Sequence, residues 1–104
     1  MKLPDECENI NDIRTEIDNI DRKIIDLLGK RFKYVKEVVK FKFNKDEIVA
    51  QKRYDEVIAN RREWAKENNL DPDLVEKIYR SLLNYFIEEE IKLLEYRQKD
   101  TLEK

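Results

Sequence analysis

The sequence predicts an all-α protein, and three observations carry that prediction. Of the 104 residues, 44% are charged and only one, Gly29, is a glycine, whereas β-sandwiches and α/β domains need turn residues at frequent intervals. Ile10, Ile13, Ile17, Ile20, Ile24 and Leu27 recur at alternating spacings of three and four, the heptad stripe of a long amphipathic helix. Far down the chain, Asp71-Pro72 supplies an N-cap followed by proline at the first helical position, a strong helix start.

The elements follow in order. Tyr34, Val38 and Phe41 continue the first stripe, so a helix is expected from Ile10 to Phe41. Asp12, Glu16, Asp18 and Asp21 lie early in it, and Lys30, Arg31, Lys33, Lys36, Lys40 and Lys42 lie late, a gradient that complements the helix macrodipole. The stretch Phe43 to Val49 has the poorest periodicity and is the expected loop. A second helix is expected from about Asp46 to Glu67, with Ala50, Tyr54, Val57, Arg61 and Trp64 on or near one face, and Asn68-Asn69 ends it. A third begins at Pro72 and reaches Tyr96 or a little beyond, with Val75, Tyr79, Leu82, Phe86 and Leu93 inside. Residues 97–104 are expected to fray.

These elements make one domain, residues 1–104, of marginal size for a self-sufficient core. A helix from Ile10 to Phe41 is about 48 Å long, against a radius of gyration of about 13 Å for a compact 100-residue domain. Its stripe does not fade along the way. A homodimer that pairs the long first helices is the simplest cover.

Composition narrows the chemistry. A net charge of −2 gives no general pull toward nucleic acid or anionic membrane, and the basic stretch Lys30 to Lys45 is a distant candidate for nucleic acid in an acidic chain. Cys7 is alone, which leaves no disulfide framework and no thiolate metal cluster and suits a reducing compartment. No apolar run is long enough to span a bilayer, and a signal-peptide core is lacking, so a soluble cytoplasmic protein is expected. Histidine is absent, and with it the commonest general base and metal ligand. No glycine-rich loop cradles a phosphate. An enzyme made from these residues is expected to work by binding and electrostatics, with no cofactor, metal or nucleophile.

Charged residues stand where the pattern calls for apolar ones. Seven residues after Ile24 comes Arg31, a guanidinium in the seam. A buried charge is costly unless paired, so Arg31 faces either a protein carboxylate or an anionic ligand, and the pattern alone favours the protein pair. Glu90 follows the stripe of Phe86 and Leu93, beside Ile87 and Ile91. It is either in a salt bridge with Arg31 or Arg53, or a carboxyl group kept neutral by burial so that it can donate a hydrogen bond. Arg14, Lys42 and Arg53 are weaker singly and each is more often a surface base. Together with Arg31 they give a surplus of positive charge beside an apolar interior, which fits a dicarboxylate.

Several segments stand in a distinctive order: Pro4-Asp5-Glu6-Cys7, Asp12-Ile13-Arg14, Ile17-Asp18, Ile20-Asp21, Gly29-Lys30-Arg31, Tyr34-Val35-Lys36 and Phe41-Lys42. Further on come Arg53, Trp64-Ala65, Asn68, Leu70-Asp71, Tyr85-Phe86-Ile87 and Ile91-Lys92. In order and spacing these segments resemble the all-helical chorismate mutase family, and most of all its isochorismate pyruvate lyase branch. The resemblance implies an intertwined homodimer of three-helix subunits with two sites, each built from both chains. By position it implies that Arg14 reaches into the partner's site to bind a substrate carboxylate and that Arg31 binds the enolpyruvyl carboxylate. It implies that Lys42, on a loop that closes over the ligand, contacts the ether oxygen and a carboxylate, and that Arg53 lies near the ring carboxylate. Val35, Val57, Phe86 and Ile87 are implied to line the apolar wall.

Two departures bear on the activity. The lyase branch carries glutamine where this chain has Glu90, while the mutases show either glutamine or glutamate. An ionised Glu90 repels a doubly negative substrate, so activity is expected to fall as pH rises through its folded-state pKa. The mutases often follow the matched arginine with a carboxylate for a ring hydroxyl, and here Tyr54 stands in that place, which favours the lyase.

The implied function is isochorismate pyruvate lyase, yielding salicylate and pyruvate, as in salicylate and siderophore biosynthesis, with possible weak mutase activity. Both reactions are pericyclic and need no obligatory proton base. Lys42 and Glu90 are the expected electrostatic residues, and Arg14, Arg31 and Arg53 position the substrate. The alternative is a chorismate mutase yielding prephenate. From another class, the alternative is a non-catalytic helical dimerisation module whose seam charges set register.

Overall fold

Asn9 opens the first helix, α1 (Ile10–Val38), by accepting the Asp12 amide on its side chain at 2.9 Å, which satisfies one of the free donors of the first turn. The Asp12 carboxylate in turn accepts from the Glu8 amide at 3.0 Å and from Lys2 Nζ at 3.1 Å. Those two partners, the Glu8 amide foremost, hold its pKa below the ordinary value. A computed structural model describes the backbone of residues 1–103 and the side chains of residues 1–100.

The α-helix stops at Val38, short of the expected Phe41, and tightens into a 3-10 turn, Val39–Phe41. Lys42 ends that turn in an extended conformation, and its amide donates to the Val39 carbonyl at 3.1 Å. The stretch expected to be a loop contains a short helix, α2 (Lys45–Val49). Capping makes this helix where periodicity did not foretell it. The Asn44 side chain accepts from the Glu47 amide at 2.8 Å, and the Glu47 carboxylate accepts from the Phe43 amide at 3.2 Å, a reciprocal arrangement that satisfies two free donors.

Ala50 then takes a left-handed conformation, φ 43°, which breaks the expected second helix near its start and sends α3 (Gln51–Glu67) off in a new direction. An alanine in this region carries a cost of about 1–2 kcal/mol. Asn68 and Asn69 end α3 as expected, with Asn69 at φ 59°. Asp71 accepts the Asp73 amide at 2.9 Å as the helix α4 (Pro72–Glu103) begins. It continues beyond Tyr96, so 97–103 is helical and not frayed. The reason is tertiary: the side chains of Arg97 and Gln98 donate to carbonyls in the segment 39–43. Lys104, the last residue of the tail expected to fray, lies outside the described residues.

The chain divides into two compact units, residues 1–34 and 35–104. In the first, the stripe Ile10, Ile13, Ile17, Ile20, Ile24 and Leu27 is exposed throughout, and α1 has no buried residue. In the second, α3 and α4 pack together. Val57, Ile58 and Ala65 are buried on α3, while Trp64 is half-exposed, so the buried face sits slightly to one side of the one expected. Arg61 lies over the Trp64 ring at 4.5 Å and the Tyr79 ring at 5.3 Å. Polar clamps cross the pair: Arg62 to Asp73 and Glu76, each at 2.9 Å, and Tyr54 Oη to Asn84 Oδ1 at 2.9 Å. Arg80, and then Arg62, hold the Glu76 carboxyl below its ordinary value of 4.5, against a smaller opposing push from burial.

Candidate active site

The second unit contains a small apolar cluster of Val39, Ile48 and Leu94, flanked by Ile87 and Ile91. It forms because the 3-10 turn, α2 and the carboxy-terminal half of α4 each turn one apolar face inward. Ile87, Glu90, Ile91 and Leu94 lie at spacings of three and four on α4, hence on one side of it. A carboxylate is thereby carried into the edge of an oily patch. Glu90 is 7% exposed, and a carboxylate so placed needs a partner.

Lys42 supplies one. Its Nζ lies 3.7 Å from Glu90 Oε1 and donates to the Ile48 carbonyl at 3.3 Å. Lys42 can reach both because the chain leaves the 3-10 turn extended at this residue and then folds back as α2, turning the Ile48 carbonyl toward it. Arg31 and Arg53 are the salt-bridge partners that the sequence offers Glu90; the structure brings Lys42 to it. The reason lies in the break at Ala50, which separates α2 from α3 and brings the 42–48 segment over α4. The two residues expected to act electrostatically thus share one small volume with the Ile87 side chain.

The other expected site residues are distributed as follows. Val57 is buried on α3, and Phe86 is half-buried on α4 with its ring edge-on to Tyr85, centroids 5.2 Å apart. Val35 is half-buried near the end of α1. Arg53 is exposed in the first turn of α3, one turn before Val57. Arg14 and Arg31 belong to the first unit, Arg14 exposed and Arg31 half-buried. Among the described residues, no group of three or more histidine, cysteine or acidic side chains is arranged to hold a metal ion. No described helix is long and apolar enough to cross a membrane.

The sequence reading missed Arg97. Its Nη1 donates to the Val39 carbonyl at 2.9 Å, and its Nη2 donates to the Lys42 carbonyl. The signal was present: Arg97 stands seven residues after Glu90, as Arg31 stands seven after Ile24. A long base at that register returns to the same side of the helix two turns on. The expectation of a frayed end removed it from consideration.

Chemically, the cluster offers an ammonium and a carboxyl group side by side against an apolar wall. Such a pair can hold a polar oxygen of a ligand between a cation and a group that accepts or, once protonated, donates a hydrogen bond. Cations in a poorly hydrated site act strongly on charge that develops nearby.

The chain is similar to known proteins over most of its length. Residues 13–91 match the family described as chorismate mutase type II. The isochorismate pyruvate lyase of Pseudomonas aeruginosa is 39% identical over 92 residues, which cover 88% of this chain and 91% of that protein. The T-protein of Haemophilus influenzae is 34% identical over 77 residues, 73% of this chain but 20% of that much longer protein.

Proposed function

The chain belongs to the chorismate mutase type II family, and from that premise we propose that it is an isochorismate pyruvate lyase. The observation that carries the proposal is the pairing of Lys42 with Glu90 at the rim of the apolar cluster, together with 39% identity to a lyase across nearly the full length of both chains. In this reaction the bond from the ring carbon to the enolpyruvyl oxygen breaks while a ring hydrogen passes to the enolpyruvyl methylene carbon. The products are pyruvate and the aromatic salicylate. Bonds shift in one cyclic transition state, so the protein need only hold the substrate in its reactive conformer and stabilise charge on the departing oxygen.

Lys42 faces that oxygen, where its charge counts for more in the transition state than in the ground state. In the free enzyme the Lys42 ammonium lies beside the Glu90 carboxylate. With a dianionic substrate bound, Glu90 takes up a proton and donates toward the same oxygen, since an ionised carboxylate would repel the ligand. Turnover is therefore expected to fall with rising pH, and Glu90→Gln, which donates at every pH, should flatten that profile. A flat profile with Glu90 intact removes the role. Val35, Val57, Phe86 and Ile87 form the apolar wall. Arg31 and Arg53 position the carboxylates, and Arg14 is supplied by the partner chain of a homodimer, whose paired α1 helices cover the stripe left bare in one chain. The whole chain acts as one domain in that assembly.

The family description gives chorismate mutase as the second reading. Tyr54 argues against it, since a phenol bonded to Asn84 stands where a mutase often has a carboxylate. Incubating the protein separately with isochorismate and chorismate, and following salicylate, pyruvate and prephenate, tests both. Salicylate and pyruvate formed faster than prephenate support the lyase; prephenate as the main product makes it a mutase. No turnover of either by a folded dimer leaves a helical dimerisation module.

A further inference from the structure

Lys42 can act on a departing oxygen only if its ammonium is already in place, and its side chain is long and flexible. We propose that Arg97 is a positioning residue that fixes the main chain at Lys42 and so sets where the Lys42 ammonium lies; the inference rests on the role given to Lys42 above. One planar guanidinium donates to two carbonyls, Val39 at 2.9 Å through Nη1 and Lys42 through Nη2. Val39 begins the 3-10 turn and its carbonyl also accepts the Lys42 amide, whereas the Lys42 carbonyl lies just past the turn, where a helical chain runs out of amide partners and carries partial negative charge. An arginine is the suited cap, because its fork offers two donors in fixed relative directions.

The consequence comes from the spacing on α4. Glu90 and Arg97 are two turns apart, about 10 Å along the axis. Lys42 is gripped at both ends by the same helix, its ammonium near Glu90 and its carbonyl at Arg97. The stem between them has few ways left to rearrange, so the distance from ammonium to site is referenced to one rigid element. Neighbouring contacts strengthen the seat without making it. Gln98 Nε2 donates to the Phe43 carbonyl at 3.3 Å, and Lys45 pairs with Glu95 at 3.1 Å, but both are at the surface and neither holds Lys42 itself. A shift of about 1 Å in a reacting group can cost about a hundredfold in rate, so a seat of this kind controls turnover from outside the site.

The test is a double-mutant comparison with full-length protein, using Arg97→Ala, Lys42→Ala and the pair, assayed on isochorismate and on chorismate. Arg97→Ala is expected to lower kcat by about ten- to a hundredfold with a smaller change in KM. Amide exchange at residues 41–45 is expected to quicken while the thermal midpoint of the whole protein moves little. In the Lys42→Ala background the same change should cost no further activity, because a residue that acts through Lys42 has nothing left to position. Wild-type kcat in Arg97→Ala overturns the proposal. So does an equal fractional loss with and without Lys42, which is what a merely structural residue gives. Should Arg97→Ala not fold, Arg97→Lys keeps the charge but loses the fork, and the same comparison is made with it. Wild-type turnover in Lys42→Ala overturns the role of Lys42 and this proposal together, whereas slow Lys42→Ala with unimpaired Arg97→Ala overturns this one alone.

Discussion

The two units of the chain use the same alphabet to opposite ends. In residues 1–34, isoleucines and a leucine recur with helical period, yet Ile10, Ile17 and Leu27 remain 60%, 50% and 61% exposed. In residues 35–104, side chains of the same kinds disappear from solvent: Ile48, Val57 and Leu94 are 2%, 3% and 1% exposed. Periodicity tells which face of a helix is apolar, and no more. Short reversals at Ala50 and at Asn68-Asn69 fold the second unit's apolar faces onto one another, while α1 is one unbroken helix of 29 residues with none of them buried. A second copy of the chain is the cover proposed for it. The second unit differs also in its polar furniture, with Arg62, Arg80, Tyr54 and Lys42 each tied to a partner on another element or turn.

The contrast is open to attack, most forcefully at the stripe. Ile17→Glu combined with Ile24→Glu puts two carboxylates into the proposed seam, where unpaired charges are costly. Assembly and activity should both be lost, as read by light scattering and product formation; a dimer of native activity would mean that α1 pairs elsewhere or not at all. Lys42→Ala comes next, expected to cost about a hundredfold or more in turnover while the scattering mass stays that of the assembled protein.

Mixing is a finer probe of how the two units cooperate. Arg14→Ala and Arg31→Ala chains, each inactive alone, should regain about a quarter of native activity when unfolded and refolded together. Half of the dimers are then mixed, and each of those has one intact site if sites are shared across a two-fold axis. No recovery in a verified heterodimer argues against sharing. The smallest functional effect is expected from Leu94→Ala, which cuts into the second unit's core. It should lower stability by about 2–5 kcal/mol in a denaturant titration and leave mass and product ratio as they were, whereas a change in mass would show that the two units are not separable in this way.

Much of the fold was legible. Asp71-Pro72 marks the start of α4 because capping is local chemistry, and Asn68-Asn69 marks the end of α3 for the same reason. The short helix α2 escaped, although Asn44 with Glu47 three residues later is a capping signature, because five residues are too few to show a period. The end of α1 at Val38 was overrun because the stripe's register continues to Phe41 after the backbone has tightened. At the site, Glu90 stands out as a charge in apolar register, whereas Lys42 is weak singly, and no local pattern places its ammonium 3.7 Å from Glu90.

What the chain determined by itself is the helices, most of their limits and the residues whose charge is out of place, since each depends on hydrogen bonds and side chains within a few positions of one another. Only the tertiary structure decided that Lys42 meets Glu90, that the Ile48 carbonyl joins them, and that Arg97 holds the turn from 58 and 55 residues away. Those contacts depend on where a left-handed Ala50 and the end of a 3-10 turn direct the chain. A few degrees of backbone rotation at such a joint moves side chains by ångströms at the far end of the next helix, and no local pattern records that lever.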